Sequence, residues 1–334
     1  MPLTDPFLAM IVSEGDDGRF LRAVENKPLA DLPPGDVLIK TAYSSLNYKD
    51  ALSATGNRGV TRRYPHTPGI DAAGTVAEST HESLKPGEAV LVTGYDLGMN
   101  TAGGYGQYIR VPAQWVIKLP ATLSLRQSMA LGTAGFTAGL CVHQLLAHGL
   151  VPEQGAVLVT GASGGVGSLA TAILAHLGFS VTAVSGKAEK SAFLEQIGAR
   201  EIISREAARD SSGRPMLKAR WAGVVDTVGG EILATAIKAT RPGGVITCCG
   251  LVASPDLPIT VFPFILRGVM LIGIDSAECA RPLRQTVWDK LAQKWCPPGL
   301  DAMTSEVGLA DLDPYIDRIL KGGITGRIVV AIPE

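Results

Sequence analysis

The residues best equipped for chemistry sit in one short run, Val157-Leu158-Val159-Thr160-Gly161-Ala162-Ser163-Gly164-Gly165-Val166-Gly167. An apolar strand runs there into a glycine-rich turn that opens a helix. Glycine lets the backbone turn sharply and come close to a diphosphate, and the N–H groups at a helix start carry partial positive charge toward it. Ala162 holds the first position of the usual G-x-G-x-x-G spacing, followed by Gly164 and Gly167. Alone the spacing is weak. A strand before it and a helix after it make it a dinucleotide-binding turn.

The next strand bears on which dinucleotide. Val181-Thr182-Ala183-Val184 ends in Ser185-Gly186-Lys187, where an NAD-binding chain usually places Asp or Glu to grip the ribose 2′-hydroxyl. No carboxylate stands there to repel a 2′-phosphate. Ser185 can donate a hydrogen bond, Lys187 supplies charge, and Lys190 or Arg205 can close over the phosphate. NADPH is the expected cofactor. The plainer reading of Lys187 and Lys190 is a solvated helix face.

Metal chemistry looks poorly provided for. The histidines are His66, His81, His143, His148 and His176, and none pairs with a cysteine at ligand spacing. No C-x-x-C occurs. Without a Lewis acid an alkoxide lacks stabilisation, so alcohol oxidation is disfavoured. Reducing an activated C=C bond needs only hydride delivery, a stabilised enolate and a proton.

The elements that must position these residues fall into two kinds. The first third is rich in short strands and turns, at Val37–Lys40, Pro68–Val76, Pro86–Val92 and Gly103–Tyr108, which predicts an antiparallel, partly closed barrel. From Ser124 to Gly149 the apolar spacing is helical. Strands then alternate with helices: strands at Ala156–Thr160, Ser180–Ser185, Glu201–Ser204, Gly223–Thr227 and Gly244–Cys249, and helices at Gly167–Leu177 and Ala188–Ile197. That order predicts a parallel sheet covered on both faces. A helix at Ala310–Leu320 and a strand at Gly326–Ile332 close the chain. The expected architecture is α/β: a doubly wound parallel Rossmann sheet over residues 124–267, inserted in a mostly antiparallel domain made of residues 1–123 and 268–334.

Composition agrees with an α/β chain of about two domains. It has 334 residues, 39 of them glycine, with 30 Lys and Arg against 31 Asp and Glu. The balanced charge and the lack of a basic stretch argue against a nucleic-acid partner. No run of about 18 apolar residues is apparent, so no membrane span is expected. Asp5, Glu14, Asp16 and Asp17 make the N-terminus unlike a signal peptide. Five cysteines (141, 248, 249, 279 and 296), an odd number in no framework, point to a reducing, cytoplasmic home. Cys248-Cys249 reads as buried strand filler.

Several runs together resemble the medium-chain dehydrogenase/reductase superfamily. They are Ser44-Ser45-Leu46-Asn47-Tyr48-Lys49-Asp50-Ala51-Leu52, Pro68-Gly69-Ile70-Asp71-Ala72-Ala73-Gly74 and Thr160–Gly167. Val184–Lys187, Trp221–Gly223, Asp226–Gly229, Pro263–Arg267 and Gly326-Arg327 narrow it to the acryloyl-CoA reductase branch of YhdH/YhfP-type, quinone-oxidoreductase-like proteins. The resemblance covers essentially the whole chain. It implies a GroES-like catalytic domain around the Rossmann domain, NADPH-dependent reduction of acryloyl-CoA to propanoyl-CoA, a homodimer and a cytoplasmic location. Asn47 stands where zinc-dependent relatives have their first cysteine ligand, and Ile70-Asp71 replaces their His-Glu pair. Carried over by position, the implied cofactor contacts are Tyr43, Ser163, Gly164, Gly165, Val166, Ser185, Gly186, Lys187, Arg205, Leu251, Ile265 and Ser276. Close relatives often carry Arg where Lys187 stands; Lys keeps the charge and loses the planar fork.

On this reading the nicotinamide lies at the C-terminal edge of the parallel sheet, facing the cleft between domains. Asn47 would position the substrate or stabilise the enolate oxygen, and Tyr43 or Tyr48 would do the same or supply the proton. Asp50 and Asp71 read better as buried hydrogen-bond hubs than as catalytic acids. Arg58, Arg62 and Arg63, with Lys49 near, form a basic loop that either meets CoA phosphates or is simply solvated. A quinone or enone reductase indifferent to CoA, and a non-catalytic NADPH-binding module, are the competing functions.

Overall fold

A computed structural model describes Leu3 and residues 5–334, which group into two compact units. Unit 1 comprises Met1–Thr133, Ala277–Ala292 and Leu300–Glu334; unit 2 comprises Ala134–Ser276 and Gln293–Gly299.

Unit 1 opens on an antiparallel hairpin, β1 (Phe7–Glu14) and β2 (Phe20–Lys27), which the sequence reading did not find. Next come β3 (Val37–Ser45), the short helix α1 (Tyr48–Ala54), β4 (Asp71–Ser79), β5 (Ala89–Thr93), β6 (Tyr108–Val111) and β7 (Ile117–Lys118). β3 is the hub, pairing antiparallel with both β4 and β6. Its ladder with β4 shifts register between Thr41 and Tyr43, an irregularity that re-aims the strand just before Ser44 and Ser45. The two strands meet so closely at Gly74 that a Cβ there would lie 1.9 Å from the Lys40 carbonyl oxygen. Between these strands lies a buried cluster that includes Val37, Ile39, Val76, Val90, Ile109 and Val111. Each such side chain contributes roughly 1.5–3 kcal/mol on burial.

The helix α2 (Leu125–Ala147) fulfils the helical spacing from Ser124 onward but is broken at Gly132, where φ is 53° and ψ is −157°. At 23 residues it is long and apolar enough to cross a membrane by length and composition alone, contrary to the expectation that no such stretch exists. Its most apolar stretch is 78% buried inside the protein, as in a core helix.

Unit 2 holds the parallel sheet. In chain order its elements are β8 (Val157–Val159), α3 (Gly165–His176), β9 (Val181–Val184), α4 (Ser191–Gln196), β10 (Ala199–Ile203), β11 (Trp221–Asp226), α5 (Gly230–Lys238), β12 (Thr240–Cys248), α6 (Phe262–Arg267) and β13 (Met270–Gly273). The strands are ordered β10-β9-β8-β11-β12-β13, all parallel, so the direction of winding reverses between β8 and β11. Strands β8, β9 and β11 are buried along their whole length, as strands covered on both faces must be. Leu158, Val184, Val224, Ile232, Ile237 and Ile246 knit the sheet to α5. Strand β13 corrects the expected boundary at residue 267. It pairs with β12 and belongs to this sheet, although its four residues are too few to show a pattern in the sequence.

The chain closes with α7 (Arg281–Leu291), β14 (Thr304–Gly308), α8 (Asp313–Leu320) and β15 (Arg327–Ala331), all in unit 1. β15 pairs antiparallel with the end of β3 and parallel with β14. The seven-stranded sheet of unit 1 is therefore mostly antiparallel and runs β14-β15-β3-β4-β5-β7, with β6 also on β3. Met10, Leu46, Tyr105, Ile316 and Val330 form a second buried cluster there.

Candidate active site

In unit 2 the expected cofactor residues gather at the C-terminal ends of the parallel strands. The turn after β8 carries Ser163, Gly164, Gly165 and Val166, and α3 starts at Gly165, two residues earlier than expected. Gly164 caps α3 with extended backbone and no side-chain hydrogen bond, which leaves the cap to the backbone and to whatever binds there. The sequence assigned the tight spots to Ala162, Gly164 and Gly167; the structure assigns them to Gly161 and Gly167. Gly161 has φ 59°, and a Cβ on Gly167 would lie 2.3 Å from the Gly161 carbonyl oxygen. Ala162 is wholly buried.

The ends of β9 and β10 bring together Ser185, Gly186, Lys187 and Arg205. Ser185 Oγ accepts from the Lys187 backbone N–H at 3.2 Å, which tightens the turn. Arg205 lies across Gly186 so closely that a Cβ there would sit 2.6 Å from its Nε. This corner therefore has a hydroxyl, an ammonium and a guanidinium and no carboxylate, the donor set a ribose 2′-phosphate needs. Lys190 sits half-buried in the following turn. Beyond β12 and β13 lie Leu251 and Ser276, and α6 carries Ile265. Leu251 is 65% and Ile265 73% exposed, large apolar side chains left to be covered by another molecule. Ser276 Oγ shares a hydrogen bond with Thr137 Oγ1 at 2.8 Å.

Asp226, which the sequence reading did not single out, braces this edge. It ends β11, accepts from Thr160 Oγ1 at 2.7 Å and from the Gly229 N–H at 2.8 Å, and its burial pushes its pKa up. A lone acid ending an apolar strand was the available signal. Cys248 and Cys249 are half-buried rather than fully buried. Burial and Asp226 push the Cys248 thiol up to about 11, and Cys249 is also pushed up, by Cys141 and then by burial, so both stay protonated and unreactive.

In unit 1 the carried-over residues surround a dry polar cluster. Asp71 is fully buried at the start of β4. Its Oδ2 accepts from Ser45 Oγ at 2.6 Å, Asn47 Nδ2 at 2.8 Å and the Thr133 N–H at 2.9 Å, while Oδ1 accepts from Thr133 Oγ1 at 2.6 Å. Asp71 thereby caps the half of α2 that restarts after Gly132. A Cβ at Gly132 would lie 2.5 Å from Asp71 Oδ2, so only glycine fits. Arg327, which opens β15, is also buried. It donates to Ser45 Oγ at 2.8 Å, to Asn47 Oδ1 at 3.3 Å and to the Ala130 carbonyl at 3.0 Å.

Asn47 is thus held at both ends of its amide. One N–H goes firmly to Asp71; the other is weakly shared by Ser45 Oγ at 3.3 Å and the Ser45 carbonyl at 3.5 Å. Tyr43 is half-buried on β3, and Tyr48 is 43% exposed at the start of α1. Among the basic loop residues Arg58 is engaged, paired with Glu14 at 2.5 Å and stacked on Phe20 and Tyr64. Arg62 and Arg63 are exposed.

No group of three or more His, Cys, Asp or Glu among the described residues is placed to hold a metal ion. In the place of such a group lies the buried cation of Arg327, joined to Asp71 through Ser45 Oγ.

Asp50 is the second buried acid. Its carboxylate accepts the Ile70 N–H at 2.7 Å and the Asn47 N–H at 2.8 Å, closing the first turn of α1. Two carboxyls share one guanidinium in a site closed to water. Burial first, and then the charge of Asp71, push Asp50 up to about 7. The Tyr105 hydroxyl, hydrogen-bonded to Asp50, is placed to accept the proton of its neutral form. The sign follows from this. Neutral Asp50 contributes stability that is complete below its unfolded pKa of 3.8 and is lost as pH rises through about 7. Over about 3 pKa units the loss reaches ~4 kcal/mol. Urea unfolding midpoints of the native chain should fall between about pH 4 and about pH 7 relative to those of Asp50→Asn, and run parallel above that. Curves parallel over that range as well would mean that Asp50 is ionised throughout.

Comparison with known proteins matches both units. Residues 33–121 match the alcohol dehydrogenase GroES-like domain, and residues 165–293 match the family described as zinc-binding dehydrogenase. The acrylyl-CoA reductase AcuI of Ruegeria pomeroyi is 45% identical over 98% of this chain and 99% of its own. The structure of the YhdH oxidoreductase from Salmonella enterica in complex with NADP superposes with a TM-score of 0.95 at 43% identity, covering 98% of this chain and 100% of that one. The Bacillus subtilis protein YhfP with NAD bound gives a TM-score of 0.95 at 41% identity, covering 98% and 100%. The chain belongs to the medium-chain dehydrogenase/reductase superfamily, in its branch of acryloyl-CoA reductases and YhdH/YhfP-type proteins.

Proposed function

We propose that this NADPH-dependent oxidoreductase reduces the C=C bond of acryloyl-CoA, giving propanoyl-CoA. The observation that carries the reading is the charge at the ends of β9 and β10, where Ser185, Lys187 and Arg205 stand with no acid among them. Bound there, NADPH would supply a hydride for the β-carbon of the thioester. The glycine turn holds the diphosphate, and Leu251, Ile265 and Ser276 cover the rest of the dinucleotide. The acyl-CoA substrate is supported by the 45% identity to the Ruegeria enzyme.

The chain's own groups handle the charge that follows. Hydride addition leaves an enolate, whose oxygen needs a donor. The second N–H of Asn47, held only weakly by Ser45, turns to it, while the bond to Asp71 keeps the amide in orientation. Tyr43 or Tyr48 delivers the proton to the α-carbon. The site works without zinc: the Asp71 oxygens already accept four hydrogen bonds, and Arg327 would oppose a second cation beside it.

Arg62 and Arg63 are offered for the CoA phosphates. The engagement of Arg58 by Glu14 removes one charge from that loop and keeps a CoA-independent enone or quinone reductase as the second reading. The homodimer is supported by exposed Val261, Phe262 and Leu266, and the cytoplasmic location by five cysteines that form no disulfide among the described residues.

Steady-state NADPH oxidation with acryloyl-CoA and with a simple quinone separates the two readings. Turnover of acryloyl-CoA is expected, with NADH at least about tenfold poorer; preference for the quinone would favour the second reading. Lys187→Ala should raise KM for NADPH about tenfold, ~1.4 kcal/mol, and leave that for NADH within about twofold; equal effects on both would remove Lys187 from the phosphate site. Asn47→Ala should lower kcat/KM by about tenfold or more. A loss within about twofold, under ~0.5 kcal/mol, would leave Asn47 no part in the reaction.

A further inference from the structure

Parallel strands are ordinarily joined by a helix laid across the sheet. The connection from β10 to β11, residues 204–220, has none. A single turn at 205–208 is followed by extended chain, tied down where the Leu217 N–H meets the Lys238 carbonyl and where Arg267 donates to the Leu217 carbonyl. The missing helix leaves the sheet beside α5 incompletely covered, and a cavity of about 310 Å³ remains under the loop. Its floor is apolar: Leu158, Ile203, Trp221, Ala236 and Ala239. Its mouth is cationic, with Arg209, Lys218 and Arg220 all exposed.

We propose that this cavity is a second ligand site, for a carboxylate bearing a short aliphatic tail. The one acid in its lining, Asp210, is taken by Lys238 at 2.5 Å, which holds its carboxyl down to about 2. Arg220 is paired with Glu201 at 2.6 Å and stacks on Trp221 at 4.2 Å, walling one side. Arg209 reaches Glu231 only at 3.9 Å, and Lys218 is in no ion pair. Two loosely held cations therefore stand over a dry floor, which is complementary to a molecule with one anionic head and an apolar body. A bare phosphate would leave the floor empty, and a neutral lipid tail would leave the cations unmet. The volume is at the small end for organic ligands, which limits the tail. None of the lining residues belongs to the cofactor set, so the site is independent of the reaction proposed above.

Isothermal titration of octanoate into the full chain saturated with NADPH tests the proposal, since the cofactor site is then filled. Saturable one-to-one binding is expected, weakened about tenfold or more in Lys218→Glu. That substitution lies on an exposed side chain and should leave the unfolding midpoint unchanged. Octan-1-ol, with a similar tail and no charge, should bind at least about tenfold more weakly than octanoate. Absence of saturable binding overturns the proposal. So does octanoate binding that Lys218→Glu leaves unchanged, because the carboxylate then sits elsewhere, and so does equal affinity for the alcohol.

Discussion

Unit 1 is organised by a charge that cannot reach water. Asp71 is wholly buried, and a buried carboxylate is tolerated only with a partner and with its lone pairs filled. Filling them recruits Ser45 and Asn47 from β3 and the turn after it, and Thr133 from the restart of α2, while Arg327 of β15 brings the countercharge. Removing one member of such a set leaves a desolvated charge behind, at a cost of about 3–5 kcal/mol. The network therefore fixes chain segments far apart in sequence to within hydrogen-bond precision. Asn47 gains its orientation from it, and the break at Gly132 requires glycine, since a Cβ on that backbone would run into the carboxylate.

Asp50 shows the other outcome available to a buried acid. It has backbone N–H donors but no guanidinium in hydrogen-bond contact, and the negative field of Asp71 reaches it. The protein resolves the conflict by raising the pKa of the second acid to about 7, so that it holds its proton far above the ordinary carboxylate range. The two acids are 21 positions apart and look alike in the sequence. What separates their roles is which donors the fold brings to each, the side chains of Ser45, Asn47 and Thr133 to Asp71 and backbone N–H groups to Asp50, and that is a property of the folded chain.

The parallel half was largely legible. Continuous apolar strands, a glycine turn and a helix have short-range causes, so their order could be read from β8 to β12. The NADPH preference was legible too, because the absent acid at Ser185 on which it rests is a local fact. What escaped depended on long-range pairing. β13 is four residues with no period of its own, and its place follows from pairing with β12. The β1–β2 hairpin is half-exposed, and its turn signal, Gly15-Asp16-Asp17-Gly18, was there in the sequence but was passed over. Gly161 rather than Gly164 takes the tight approach because Thr227, distant in sequence, comes up against it. Asp50 and Asp71 were read as hubs, and so they are, but Arg327 and Thr133 could not be named as their partners from spacing.

Gly186 and Arg205 form a pair with one shared volume. The guanidinium occupies the room that any side chain at position 186 would need, so the two positions cannot drift separately. A chain that acquires even a methyl group there evicts the arginine. It then loses a cation from the ribose corner in the same step. Cofactor preference in such a lineage would change abruptly, at a glycine that carries no charge itself.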